Sequence, residues 1–127
     1  MCDSMVAVTP EAVWLGKNSD REPDEVQVVE ARPAASHAAG AEVAIGEVRV
    51  PQAAATLAVT LSRPRWMWGC EMGVNERGVA IANEAVFVRV PLARAGLTGM
   101  DLQRLALERA GSAADAVALI IELLGRY

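Results

Sequence analysis

Apolar and polar residues alternate through much of the first two thirds of the chain, a pattern typical of β-strands. The β-rich runs MVAV (5–8) and AVWLG (12–16) flank the turn sequence TPEA and predict a hairpin from Cys2 to Gly16. DEVQVVEARP (24–33) predicts a third strand that ends at Pro33. AASHAAGAE (34–42) predicts a loop, and VAIGEVRVPQ (43–52) and ATLAVTLSRP (55–64) each predict one further strand. In WMWGCEMGVNERGVAIANEAVF (66–87), two β-rich arms flank VNERG and predict a second hairpin.

The spacing of apolar residues then changes to that of helices. LTGMDLQRLALERAG (97–111) predicts a helix that Gly111 is placed to end. SAADAVALIIELLGRY (112–127) predicts a second helix with Ser112 as its N-cap and Asp115 three residues on. The expected apolar positions are Leu102, Leu105, Ala106 and Ala110 in the first helix and Val117, Ile120, Ile121 and Leu124 in the second. Strands followed by helices predict an α+β fold, with the helices layered on a mostly antiparallel sheet.

Composition narrows the classes of function. The chain has 127 residues, of which 53% are hydrophobic, so it is long and apolar enough for one domain with its own core. A net charge of -4 offers no basic surface, which argues against nucleic acid as a partner. No apolar run approaches the roughly 18 residues of a membrane span. Because the first residues also lack a basic secretory signal, a cytoplasmic protein without a membrane partner is expected.

The sequence holds few residues that bind soft metals. Two cysteines, one histidine and no CxxC spacing predict neither a metal site nor a cofactor. In a reducing compartment Cys2 and Cys70 are expected to be free thiols, with Cys70 buried and inert. His37, in its loop of small residues, is expected to be solvated and inert. Trp66 and Trp68 are expected to share one face and to pack in the core.

Cys2 directly follows the initiator methionine. Its position alone favours a small side chain in the first strand. Methionine aminopeptidases, however, remove Met1 when the next side chain is small, and Cys2 would then carry a free α-amino group beside its own thiol. An α-amine has a pKa of roughly 7.7–8.0 and can take the thiol proton, directly or through water. One residue would then supply both the nucleophile and the base.

The polar segment GKNSDRE (16–22) follows the second strand of the first predicted hairpin. Taken alone, it is typical of a solvated turn. A hairpin brings its far end beside its beginning, so Lys17, Asn18, Asp20 and Arg21 are expected near Cys2. A carboxylate there would orient the terminal ammonium, and a cation would favour the thiolate by lowering the pKa of the cysteine.

Asn83 ends the strand that follows the second hairpin. In a purely structural role, Asn83 would be a turn residue at the end of the strand. In a catalytic role, its backbone N–H or its side-chain amide would stabilise a developing oxyanion.

Four segments carry a resemblance to a known family in the same order: CDSMVAV, GKNSDRE, SRPRWMWGCEMGVNERGVAIANEAVF and GLTGMDLQRLALERA. Together they resemble the secernins and the related cysteine dipeptidases, which are N-terminal nucleophile (Ntn) hydrolases. The chain is similar, more distantly, to choloylglycine hydrolases and penicillin V acylases. The resemblance implies the four-layer αββα sandwich of these enzymes.

The same resemblance implies roles for individual residues. Cys2 would be the nucleophile once Met1 is removed, Asp20 would hold the free α-amine, and Asn83 would contribute to the oxyanion hole. Lys17 stands where the choloylglycine relatives carry an arginine near the thiol, and Arg21 is the second candidate for that role. Asn18 is expected to brace the loop.

Members of these families are much longer than this chain. Residues 1–127 are therefore expected to form the N-terminal part of a single Ntn-hydrolase domain, in which antiparallel hairpins are followed by two helices. A fragment is the expected account, and a split enzyme that needs a second chain is the alternative. A further partner would then be either another copy in a homo-oligomer or the missing C-terminal portion.

The predicted function is a cysteine-type dipeptidase or amide hydrolase that acts on a dipeptide or a small amide, with little or no activity in the fragment alone. Two alternatives stay open: an acylase of non-peptide N-acyl amides, and a non-catalytic, secernin-like interaction protein. The presence of Cys2, Asp20 and Asn83 together favours an enzyme, whereas an unprocessed Met1 would reverse that preference.

Overall fold

The structure is a computed structural model that describes residues 2–91 and 95–127. Within these ranges strands precede helices: β1 (Asp3–Val8), β2 (Val13–Asn18), β3 (Gln27–Arg32), β4 (Ala35–Ser36), β5 (Glu42–Ile45), β6 (Val48–Pro51), β7 (Ala55–Thr56), β8 (Val59–Pro64), β9 (Met72–Asn75), β10 (Ala80–Ala82), α1 (Gly99–Leu107) and α2 (Ala113–Arg126). Every strand pairing in the described part is antiparallel. The α+β prediction is confirmed.

Both predicted hairpins are present. In the first, β1 pairs with β2 from Val8 opposite Val13 to Asp3 opposite Asn18. The second, β9–β10, is the edge of a four-stranded sheet with the order β10-β9-β8-β3. As predicted, β3 ends at the residue before Pro33.

The segment VAIGEVRVPQ was expected to be one strand, and that prediction is wrong. It contributes to two paired strands, β5 and β6, which reverse at Gly46 and Glu47. Gly46 has a φ of +57°, a left-handed conformation that glycine adopts without the steric cost of a Cβ. Gly46, which was expected to lie within a strand, is therefore a turn residue.

Helix α1 is buried on nearly every side because it lies between two parts of the core. Ala106, Leu107 and Ala110 pack with apolar residues of the four-stranded sheet, including Val59 and Leu61. The four apolar positions predicted for this helix are all buried. Leu102 and Leu105 pack on the other side with Ile45, Val50 and Leu123, that is, with the β5–β6 hairpin and α2.

Asn75 joins the second hairpin to the end of α1. Its Nδ2 donates hydrogen bonds to the carbonyls of Leu107 (3.0 Å) and Ala110 (2.8 Å). Its Oδ1 accepts from the backbone N–H groups of Arg77 and Val79, both at 3.0 Å, and so holds the turn. Helix α1 consequently ends at Leu107, before the predicted stop at Gly111.

Gly69 allows the start of α1 to approach the loop before β9. A Cβ on Gly69 would lie 2.4 Å from the carbonyl carbon of Met100, which no real contact permits. The neighbouring Cys70 N–H donates to the Met100 carbonyl at 3.2 Å. This backbone contact fixes the loop that leads into β9.

Helix α2 begins as predicted, since the Ser112 side chain accepts a hydrogen bond from the Asp115 N–H. Its predicted core face is wrong. Ala116 and Leu123 are the buried residues of the helix, with Leu119 and Ile120 packed partly against the core. Three of the four predicted positions, Val117, Ile121 and Leu124, are exposed.

One face of the four-stranded sheet is also open to solvent. Val29 and Val74 are exposed there, although the opposite face packs against α1. The β1–β2 hairpin exposes further apolar side chains, among them Val6 and Trp14. The described residues therefore bury one side of the sheet and leave an apolar surface on the other.

The packing predicts a sharp contrast between two leucines. Leu105→Ala is expected to lower the free energy of unfolding by about 2–5 kcal/mol, because Leu105 is fully buried and its removal leaves a cavity. Leu124→Ala, the matched control, removes the same atoms from a side chain that is 64% exposed and is expected to change stability by about 0.5 kcal/mol or less. Urea denaturation measures both, and equal losses would contradict this account of the core.

Candidate active site

The first hairpin places the residues after β2 beside Cys2. Because Asp3 is opposite Asn18, the chain on either side of this pair meets at the open end of the hairpin. The strand β10 ends close by, and the residues after it complete the site. A cavity of about 820 Å³ results, and its wall includes Cys2, Asp20, Arg21, Glu71, Asn83, Glu84 and Ala85.

The environment of Cys2 favours the thiolate. The pKa of the Cys2 thiol lies below its ordinary value, chiefly because the backbone N–H of Asp20 donates a hydrogen bond to the sulfur. Burial has the second-largest effect and opposes it, while the charge of Lys17, a hydrogen bond from its ammonium and one from the backbone N–H of Ala85 also lower the pKa. Thiolate is the nucleophilic form of cysteine, so these groups favour the form that a nucleophile needs.

Lys17, the only lysine in the sequence, is the cation at the site. Its side chain is 1% exposed. The ammonium donates a hydrogen bond to the carbonyl of Asn83, and the Glu84 carboxylate lies 3.9 Å away. A buried ammonium is stable only with partners of this kind, so Lys17 holds the hairpin against the segment after β10.

The carboxylate of Asp20 interacts with the amino terminus. Its pKa lies below the ordinary value because of a hydrogen bond with the terminal ammonium group and because of that group's charge. This ammonium belongs to residue 1, so an interaction of Asp20 with the α-amine of a processed Cys2 stays a prediction. Met1 itself lies outside the described residues, and its removal stays a prediction.

Arg21 lines the cavity but is held by other carboxylates. Its guanidinium makes two hydrogen bonds of 2.6 Å to Glu25 and lies 3.4 Å from a carboxylate oxygen of Glu71. The pKa of Arg21 is raised, first by the hydrogen bonds to Glu25 and only last by the charge of Cys2. Of the two cations proposed to act on the thiol, Lys17 is therefore the stronger candidate.

Asn83 follows β10, at the strand end where the sequence predicted it. Its backbone N–H donates to the carbonyl of Glu71 at 3.1 Å and so is not available to a substrate. Its Oδ1 is buried and has no hydrogen-bond partner among the described residues. Since an oxyanion needs a donor, the side-chain Nδ2 of Asn83, and not this oxygen, is the atom that could contact a reacting group. Asn18, expected to brace the loop, is exposed at the end of β2.

Sequence reasoning missed two participants in this site. Ala85 acts through its backbone N–H, which leaves no signal in the sequence. Glu71 is 5% exposed in the wall of the cavity. The sequence did carry one sign of this buried charge, a single carboxylate within the β-rich segment WGCEMGV.

Cys70 has the properties that were predicted for it. It is fully buried, and neither it nor Cys2 forms a disulfide. Burial raises the pKa of the Cys70 thiol to about 12, although a hydrogen bond from Gln103 at 3.3 Å opposes this effect. Cys70 therefore stays protonated where Cys2 is activated.

Two other predictions about side chains hold only in part. Trp66 is 69% exposed and donates a hydrogen bond to Glu25, because the chain turns after β8 and is not extended there. Trp68, by contrast, packs partly against the core as predicted, with its ring centre 4.1 Å from the guanidinium carbon of Arg104. His37 is half-buried and hydrogen-bonded to Thr56 at 3.1 Å, and so it is not simply solvated.

Comparison with known families bears on this site. Residues 8–127 match the family model described as acyl-coenzyme A:6-aminopenicillanic acid acyl-transferase. The chain belongs to this family. The family is of the Ntn-hydrolase type and is related to the cysteine dipeptidases and penicillin acylases. Membership implies acyl transfer or hydrolysis at amide bonds.

The match leaves finer questions open. It includes Lys17, Asp20, Arg21 and Asn83, but Cys2 precedes the matched residues. The narrower assignment to the secernins stays a prediction. No solved structure matches the chain at a significant level, and the four-layer sandwich likewise stays a prediction.

The described residues contain neither a membrane-spanning helix nor a cluster of metal-binding side chains. Neither helix in the described ranges is long and apolar enough to cross a bilayer. The same residues contain no group of His, Cys, Asp and Glu side chains that could hold a metal ion. The cytoplasmic location stays a prediction.

Lys17→Met tests the activation of Cys2, because it removes the ammonium but keeps an unbranched side chain. The pKa of the Cys2 thiol is expected to rise toward its ordinary value, so less thiolate is present at neutral pH. Alkylation of Cys2 by iodoacetamide at pH 7 is expected to slow severalfold, and the difference is expected to vanish above the ordinary thiol pKa.

The matched control is Arg77→Met, which removes an exposed cation from the turn between β9 and β10. Circular dichroism verifies that both variants are folded. A Lys17→Met profile of rate against pH that coincides with the wild type would show that Lys17 does not activate the thiol.

Proposed function

We propose that this protein is a cysteine-type amide hydrolase of dipeptidase character, with Cys2 as its nucleophile after removal of Met1. One observation carries the proposal: Cys2 lies in the wall of a cavity large enough for a small substrate, and hydrogen bonding from Asp20, Lys17 and Ala85 with the charge of Lys17 lowers the pKa of its thiol. Membership of an Ntn-type family that acts on amides supports it.

In the proposed first step, the neutral α-amine of Cys2 accepts the thiol proton. The thiolate sulfur attacks the amide carbonyl carbon and the carbonyl oxygen becomes an oxyanion. The ammonium returns its proton to the departing nitrogen, the C–N bond breaks, and a thioester remains on Cys2. Asp20 would keep the amine oriented, as its interaction with the amino terminus suggests.

The second step hydrolyses the thioester. The same α-amine takes a proton from water, and the resulting hydroxide attacks the thioester carbonyl. The C–S bond breaks, the carboxylic acid leaves, and the sulfur recovers its proton. In both steps the side-chain amide of Asn83 would stabilise the oxyanion, a contribution typically worth a few kcal/mol.

A second candidate is cleavage of a non-peptide N-acyl amide by the same mechanism. The family match favours it, because the name of that family refers to acyl transfer to 6-aminopenicillanic acid. Rates on an alanyl dipeptide and on a simple N-acyl amide would separate the two. A non-catalytic interaction protein would act on neither.

We also propose that residues 1–127 form the N-terminal part of a single Ntn-type domain. The exposed apolar face of the four-stranded sheet, with Val29 and Val74, supports a further layer over it. Hydrolysis of dipeptides by this chain alone is therefore expected to be slow or absent. Activated esters, which need less catalytic assistance, suit the first test.

Acylation by p-nitrophenyl propionate tests the nucleophile. The processed chain is expected to release a burst of p-nitrophenolate and to carry one propionyl group on Cys2, located by peptide mass spectrometry. Cys2→Ala is expected to abolish both the burst and the adduct, because no other activated thiol is present in the described residues. Cys70→Ala is the matched control and is expected to keep both. Acylation that persists in Cys2→Ala would overturn the proposal.

Asn83→Ala tests the oxyanion role in the same assay. The rate of acylation is expected to fall about 100- to 1,000-fold, the usual cost of losing one oxyanion donor. Gln27→Ala removes an exposed amide from β3 and is expected to have no effect. An unchanged rate in a folded Asn83→Ala variant would exclude the role.

A further inference from the structure

Glu71 is a fixed part of the cavity wall that the proposed mechanism does not use. Its N–H donates to the Ser62 carbonyl at 2.9 Å, and its carbonyl accepts from the Asn83 N–H at 3.1 Å. The residue is 5% exposed and shares the cavity with Cys2. Its position relative to the nucleophile is therefore set by backbone hydrogen bonds on both sides.

The carboxylate of Glu71 is incompletely partnered. Its Oε2 is buried and has no hydrogen-bond partner among the described residues. Its Oε1 lies 3.4 Å from the Arg21 guanidinium, which makes shorter bonds of 2.6 Å to Glu25. Because Arg21 makes its shorter bonds to Glu25, the ion pair through Oε1 leaves the Oε2 of Glu71 without a donor. Burial of an unsatisfied carboxylate oxygen is costly unless a ligand supplies the donor.

The other charged groups described around the cavity do not supply the donor that the Oε2 of Glu71 lacks. The Lys17 ammonium is bonded to the Asn83 carbonyl and to the Cys2 sulfur. Asp20 and Glu84 add two more carboxylates to the wall, against the single guanidinium of Arg21. The cavity therefore favours a cation over an anion, and a cation with several N–H donors over one with none.

We propose that Glu71 is the acceptor for a protonated primary amine of the substrate, the α-ammonium group of an aminoacyl residue whose carbonyl Cys2 attacks. The inference rests on the proposed function and adds to it the residue that recognises the substrate. An ammonium has three donors and can serve the vacant oxygen of Glu71. Simple acyl groups, which lack the ammonium, leave that oxygen unsatisfied and bind more weakly.

A pair of esters of nearly equal size tests this assignment. The p-nitrophenyl esters of alanine and of propionic acid differ only by the ammonium group. Rates of acylation of Cys2 are measured at pH 7 and divided by the rates for free cysteine, which corrects for the intrinsic reactivity of each ester. The wild-type chain is expected to favour the alanine ester about tenfold, the usual effect of a charged hydrogen bond.

Glu71→Gln keeps the shape of the side chain but removes its charge. The preference is expected to fall to within about twofold of unity, mainly through slower reaction of the alanine ester. Glu22→Gln, the matched control, alters an exposed glutamate outside the cavity wall and is expected to keep the preference.

The outcomes separate the two proposals. Equal corrected rates for the two esters in the wild type, or an equal loss of both in Glu71→Gln, would overturn the role of Glu71 and leave the nucleophile standing. Failure of both esters to acylate Cys2 would overturn the proposed function, and this inference with it.

If the Glu71→Gln variant does not fold, a measurement on the wild type alone still tests the inference. Alaninamide is expected to protect Cys2 from iodoacetamide at concentrations at which propionamide does not, because only alaninamide carries the ammonium. Equal protection by the two amides would overturn the inference.

Discussion

The candidate site depends on the contacts that the buried ammonium of Lys17 makes. It must find partners because an unpaired charge cannot be buried at acceptable cost. Its partners are the Asn83 carbonyl, which belongs to the segment after β10, and the thiol of Cys2, which belongs to the first hairpin. One side chain of the first hairpin thus joins it to the segment after the second hairpin and lowers the pKa of the Cys2 thiol.

The packing of the helices and strands fixes the position of the residues that Lys17 contacts. Helix α1 packs against the four-stranded sheet on one side and against the β5–β6 hairpin and α2 on the other. Asn75 ties the end of α1 to the second hairpin, and the Asn83 N–H is bonded to Glu71 in the loop before β9. Because each of these links runs through buried or backbone groups, the residues after β10 are held in place for Lys17 to bind.

The sequence predicted those features that depend on local order. An antiparallel hairpin with a short turn returns its far end to its start, so the polar cluster after β2 could be placed beside Cys2. Helix α2 was harder, because its apolar residues cover more than one face and periodicity does not tell which face meets the core. The pairing of Glu71 with Arg21, 50 positions apart in the chain, depends on how the two hairpins meet and has no local signal.

The central claim is that Cys2 is a processed, activated N-terminal nucleophile. The most direct measurement is an intact-mass spectrum of the purified chain before and after brief treatment with limiting iodoacetamide at neutral pH, followed by mapping of the label. The account predicts loss of Met1 and labelling of Cys2 in preference to Cys70, whose thiol has a pKa raised to about 12. Retained Met1, or equal labelling of the two cysteines, would contradict it.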